Sequence, residues 1–176
     1  MRAIRIAIIL LLCNGPLKYF SQEQVTWSYK NTDQCLNISD ELLDSIFENA
    51  KYFLETKYVY GGSSNSGFDC SGFIYFLFKE YDILLSKSSS QLSKVGEHVP
   101  FSDIRKGDLL FFKGRNMVSE NVGHVAVVIC SSENSFEMIH ATNRGVVIDQ
   151  YDKISYYQKR YLFAKRFLNI EPAVQL

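Results

Sequence analysis

The chain has 176 residues and a hydrophobic fraction of 47%, enough for one packed domain and a leader and too apolar for a disordered chain. Lys and Arg number 19 and Asp and Glu 19, with no basic run, which argues against a nucleic-acid partner. The cysteines, Cys13, Cys35, Cys70 and Cys130, lack the paired spacing of a zinc site, so neither a metal nor another cofactor is expected.

Residues 1–22 read as an export signal. Arg2 and Arg5 form a positive start, Ile6 to Cys13 an apolar stretch too short to span a bilayer, and Asn14-Gly15-Pro16 breaks it. Two fates stay open. The leader is cleaved near Ser21 and Gln22, or Leu10-Leu11-Leu12-Cys13 is a lipoprotein box that leaves a lipid on Cys13. Leu12 is bulkier than the residue such boxes usually carry. Membrane contact is expected only through that anchor. Residues 23–38 are a short polar lead, 39–169 the one folded domain, and 170–176 a tail.

The first helix is predicted to start at Ser39 or Asp40, either of which can cap it. Leu42, Leu43, Ile46, Phe47, Ala50, Phe53 and Leu54 make its apolar stripe. A Gly- and Ser-rich loop from Lys57 to Asp69 follows, then a buried helix from Cys70 to about Glu80 or Tyr81. Residues 86–96 suggest a short helix, and Pro100 to Lys106 a turn. Strands are predicted at Leu109–Lys113, His124–Cys130, Ser135–Ala141, Val146–Asp149 and Tyr161–Phe167, with a short helix within Asp152–Arg160. Helices first and strands after give an α+β fold with an antiparallel sheet.

Cys70 stands where a thiol becomes reactive. The N–H groups and the positive end of the helix dipole favour thiolate there. His124 and His140 fall on later strands, so a cysteine at a helix start faces two histidines from the sheet, which is a papain-like layout. His124, directly after Gly123, is the expected base. His140 is the expected orienter of its imidazole. His98, beside Val99 and Pro100, is expected to be a surface loop residue, and Asp108 a turn and strand-start residue. A disulfide between Cys35 and Cys130 stays open. No second cysteine lies at the two-residue gap of a redox motif.

Five blocks, in order, carry a resemblance. They are Tyr58-Val59-Tyr60-Gly61-Gly62, Phe68-Asp69-Cys70-Ser71-Gly72-Phe73, Gly107-Asp108-Leu109-Leu110-Phe111-Phe112, Gly123-His124-Val125-Ala126-Val127 and Met138-Ile139-His140-Ala141. Over about residues 40–168 the chain resembles the NlpC-type family of bacterial cell-wall cysteine peptidases. The resemblance implies a papain-like fold, with Cys70, His124 and His140 as catalytic residues. It implies that Tyr58 holds substrate or oxyanion beside the nucleophile, and that Asp69 and Ser71 contact the substrate's terminal amine. Asp69 reads equally well as the cap of the Cys70 helix. The Cys70 backbone N–H is a further oxyanion donor. The implied substrate is a peptidoglycan stem peptide or muropeptide, cut after D-glutamate and before a diamino acid such as diaminopimelate. The implied site of action is the periplasm, cell envelope or exterior, and the expected state is a monomer.

The chain departs from the family pattern at Glu55 and Lys57, where Gly and Pro are common, at Lys106 for Pro, and at Ala126 for Gly. None removes a reacting group, but Glu55 and Lys57 alter the groove rim. Two rivals stay open: an inactive module that binds wall peptides, and a papain-like amidase or acyltransferase with the same site.

Overall fold

The computed structural model describes residues 27–28, 35–132 and 135–171. The predicted leader over 1–22, Cys13 with it, most of the 23–38 lead and residues 172–176 lie outside the described residues. Short strands β1 (Trp27–Ser28) and β2 (Leu36–Ser39) precede helix α1 (Asp40–Lys51). Ser39 caps α1, its Oγ accepting the Leu42 N–H at 3.2 Å, with Asp40 and Glu41 in the first turn and Lys51 in the last. Such a cap stabilises by about 1 kcal/mol, and the charges suit the helix dipole. Leu43, Ile46, Phe47 and Ala50 form the buried face. The predicted stripe ran on to Leu54, but the helix stops at Lys51 and Leu54 is 39% exposed. Glu55 turns the chain at φ +67°, and its N–H donates to Val146 O at 2.9 Å, tying this corner to the sheet.

The predicted Lys57–Asp69 loop is more ordered than its composition suggested. It folds as a tight hairpin, β3 (Ser63–Ser64) with β4 (Gly67–Phe68), that delivers the chain into α2 (Cys70–Lys79). Gly72 permits the docking: a Cβ there would lie 2.0 Å from Gly62 O. Phe73, Ile74, Leu77 and Phe78 of α2 are fully buried. Strand β5 (Ile83–Leu84), which pairs in parallel with β1, and helix α3 (Ser89–Leu92) cover the helix further.

Strands β6 (Glu97–Val99), β7 (Leu109–Lys113), β8 (Val122–Ser132), β9 (Ser135–Thr142) and β10 (Gly145–Gln150) then build the main sheet. A single turn of helix, α4 (Ser155–Gln158), precedes β11 (Tyr161–Arg166) and β12 (Leu168–Glu171). The six-stranded sheet runs β10-β9-β8-β7-β11-β6, antiparallel throughout. The antiparallel α+β reading therefore holds. One of its strands was not anticipated: β6, which places His98 on an exposed sheet edge rather than in a loop. Outside this sheet, the parallel pair of β12 with β2 was not anticipated either.

Both faces of the sheet centre are covered, which is why Leu109 to Phe112 reads as an unbroken apolar run. Leu109, Phe111, Val125, Val127, Ile139 and Ala141 pack beneath α1 and α2. Leu110, Phe112, Ala126, Val128 and Met138 face a second cluster with Tyr151 and Tyr157.

Candidate active site

Asp69 and the hairpin fix the start of α2. Asp69 Oδ1 accepts the Gly72 N–H at 2.6 Å and the Ser71 hydroxyl at 3.2 Å, while Oδ2 accepts the Gly61 N–H at 2.9 Å. The Ser71 hydroxyl also lies 2.7 Å from Lys87 O, and Ser71 is 4% exposed. Both side chains thus hold the loop that leads into Cys70, and Asp69 caps α2. Cys70 is 7% exposed. Burial pushes its thiol above the ordinary value, and the Asp69 carboxylate adds to this. The N–H groups of Val125, Ser71 and Cys70 pull the other way without prevailing. The thiolate expected from the helix start alone is therefore not the resting form. Burial outweighs the helix terminus.

Helix α2, which begins at Cys70, packs against β8, the strand that carries His124. A bulge sets His124. Phe112 pairs with His124 and Lys113 with Val122, so Gly123 is the extra residue. A Cβ on Gly123 would meet the Gly114 Cα at 2.3 Å, so only glycine lets the two strands close there.

From His124 a relay runs across the sheet. His124 Nε2 lies 2.9 Å from His140 Nδ1, and His140 Nε2 lies 3.0 Å from Asp149 Oδ2. Arg144 Nη2 also donates to Asp149 Oδ2. Burial works against the Asp149 carboxylate, but its bonds from His140 and Arg144 outweigh burial and hold it below its ordinary value. A carboxylate only accepts, so His140 carries its proton on Nε2. Burial holds His140 neutral, its pKa below the ordinary 6.5 despite Asp149. Its Nδ1 is then an acceptor, and His124 Nε2 must donate to it. Burial first, then His140, drives His124 well below 6.5. The hydrogen-bond network therefore leaves His124 Nδ1 unprotonated, as a base requires. Tyr157 stacks on the His124 ring at 5.8 Å and packs on His140 at 4.9 Å, fixing both planes.

A cleft of 680 Å³ opens at His124, with Tyr58, Thr142, Arg144, Tyr157 and Arg160 among its walls. Tyr58 is 39% exposed at this opening. Burial, the Cys70 sulfur and Asp69 raise its pKa, so it stays a hydroxyl donor.

The structure thus joins His124 directly to His140, sets Cys70 against β8 and places Tyr58 on the cleft. Sequence reasoning missed Asp149, Arg144 and Tyr157. Asp149 was visible only as an acid ending a predicted strand. Its link to His140 depends on register, since Val147, not Asp149, is the direct partner of His140. Asp108 is a structural residue, accepting Arg166 Nε at 2.9 Å and Nη2 at 2.8 Å. Among the described residues Cys35, Cys70 and Cys130 are free thiols, so the Cys35–Cys130 disulfide is absent.

The fold and the cysteine–histidine arrangement define a class. The chain belongs to the NlpC/P60 family, whose model matches residues 55–166. Murein DD-endopeptidase MepS/Murein LD-carboxypeptidase of Escherichia coli is 31% identical over 85% of this chain and 71% of its own length. Gamma-D-glutamyl-L-lysine dipeptidyl-peptidase of Bacillus cereus is 30% identical over 90% of this chain and 45% of its own. A crystal structure of an NlpC/P60 family protein from Bacillus cereus superposes with a TM-score of 0.64 at 32% identity, covering 72% of this chain and 40% of that one. The chain spans less than half the length of the Bacillus relatives it matches.

Proposed function

We propose that the protein is a cysteine endopeptidase that hydrolyses a peptide bond in peptidoglycan stem peptides, the γ-D-glutamyl bond to a diamino acid. The observation that carries the reading is the Asp149–His140–His124 chain of hydrogen bonds, which leaves a free imidazole nitrogen on β8, the strand packed against the Cys70 helix. An inactive binding module has no use for an aligned base.

In the proposed mechanism the Cys70 proton passes to His124 Nδ1 as sulfur bonds to the peptide carbonyl carbon. The Cys70 N–H and the Tyr58 hydroxyl stabilise the oxyanion. His124 returns the proton to the leaving amine, and a thioester remains. Water then gives a proton to His124, its hydroxyl attacks the thioester, and the thiol re-forms. Because thiol and imidazole both rest neutral, proton transfer accompanies attack rather than preceding it.

The names of the relatives support the choice of substrate: one cleaves at γ-D-glutamyl-L-lysine, another is a murein endopeptidase. Action in the cell envelope follows from that substrate, with residues 1–22 as the export leader. Among the described residues no helix is long and apolar enough to cross a membrane. The test is hydrolysis of purified muropeptides by the full chain beside its Cys70→Ala variant. A new amine on the diamino acid, seen with the wild type alone, supports the reading. A freed L-alanine amine supports the amidase, and equal inactivity of both proteins overturns the hydrolase reading. Cleavage between two D-residues is the second reading, favoured by the larger share of the murein DD-endopeptidase that the chain covers.

A further inference from the structure

Every charged side chain on the cleft is cationic: Lys113, Arg115, Arg144 and Arg160. Two have carboxylate partners. Lys113 pairs with Glu120 at 2.5 Å, and Arg144 with Asp149. Among the described residues, neither Arg115 nor Arg160 forms an ion pair.

Arg160 is built into position. Its N–H donates to Tyr157 O at 3.0 Å and its carbonyl accepts the Lys113 N–H at 2.8 Å, so its backbone is fixed between α4 and β7. Its guanidinium carbon lies 3.8 Å from the centre of the Tyr156 ring, which holds the plane of the group. Its Nε is buried and has no hydrogen-bond partner. A buried N–H donor without an acceptor is costly, and a planar guanidinium is shaped to take a carboxylate by two parallel bonds.

We propose that Arg160, on the cleft that Arg115 also lines, is a carboxylate-binding subsite that makes the protein select stem peptides with a free carboxylate over their amidated forms. The proposal rests on the peptidase reading of the same cleft and adds what the cleft discriminates. A stem peptide offers two carboxylates of this kind: the α-carboxylate of a γ-linked glutamate, and the second carboxylate of a diamino acid such as diaminopimelate. A lysine at that position offers only an amine.

The experiment measures binding and hydrolysis separately. Dissociation constants of the full-length Cys70→Ala protein are taken for one stem peptide with both carboxylates free, amidated at glutamate only, and amidated at the diamino acid only. A charge-assisted bidentate contact at a cleft rim predicts about a 10-fold loss of affinity on amidation of whichever carboxylate Arg160 holds. The arm that loses affinity identifies the source. Adding Arg160→Ala removes that preference and leaves unchanged the affinity for the peptide amidated at the carboxylate that Arg160 holds. Arg160→Lys, which keeps the charge and loses the fork, restores only part of it. Equal affinity for all three peptides, or a preference that survives Arg160→Ala, overturns the proposal even if hydrolysis is observed. Selective binding with no hydrolysis by the wild type overturns the peptidase reading and leaves the subsite standing.

Discussion

Two aspartates, Asp108 and Asp149, are each buried, each in the main sheet region and each paired with an arginine. Arg166 meets Asp108 with both Nε and Nη2, and the Arg105 N–H supplies a third bond at 2.9 Å. All three of these donors are a permanently charged guanidinium or a backbone N–H, so none of them changes its protonation during a reaction. Asp149 divides one oxygen between Arg144 and His140. One of its donors is an imidazole that can change its protonation. The same ion pair is a rivet in the first place and the end of a hydrogen-bond chain to His124 in the second. The sequence drew attention to Asp108, which lies in a matched block, and passed over Asp149, which lies in none.

The sharpest way to break the comparison is Asp149→Asn. An amide can donate to His140 Nε2, which moves the His140 proton to Nδ1, reverses the bond to His124 and places a proton on the nitrogen that should act as base. Loss of kcat/KM is expected on the order of 10⁴-fold, as when a triad carboxylate is amidated elsewhere. Unchanged kcat/KM would show that Asp149 only packs.

Asp108→Ala should do the opposite. It strands a partly buried Arg166 and is expected to cost about 3–5 kcal/mol of stability in denaturant unfolding, with kcat/KM of the folded protein unaltered. A loss of kcat/KM with full stability would remove the distinction drawn between the two pairs.

A smaller effect concerns pH. The folded protein holds His124 and His140 below 6.5, whereas the unfolded chain protonates both at that ordinary value. Below pH 6.5 the unfolded state therefore binds more protons, and stability declines as pH falls through that range. The acid limb of kcat/KM, set by protonation of His124, should lie below 6.5. An acid limb at or above 6.5 would mean that the base is not His124. The smallest change is expected from Arg144→Ala. Arg144 opposes a charge on His140, so its removal should raise the His140 titration point seen by NMR. Movement in the other direction would show that Arg144 supports the imidazolium.

The α1 stripe, the helix at Cys70 and five of the main sheet's six strands were legible because local periodicity and turn residues encode them. Cys70, His124 and His140 were legible as residue types at the starts or within such elements. Less legible were elements that exist only through pairing. Strand β6 has three residues and no pattern of its own, and it is a strand because β11 offers it an edge. The short pair of β2 with β12 joins opposite ends of the domain, which no local signal can announce.

Sequence by itself determined the chemistry available to this protein: one cysteine at a helix start, two histidines on strands, an antiparallel α+β frame. Tertiary structure decided how that chemistry is set. Burial, a property of the packed surroundings, made the resting thiol and imidazoles neutral against the pull of the helix terminus. Strand register brought Asp149 diagonally onto His140 and so chose the tautomer. Closure of the Tyr156–Arg160 segment onto β7 turned scattered cations into one wall of a cleft. Each of these depends on distances between residues far apart in the chain, and such distances exist only once the chain has folded.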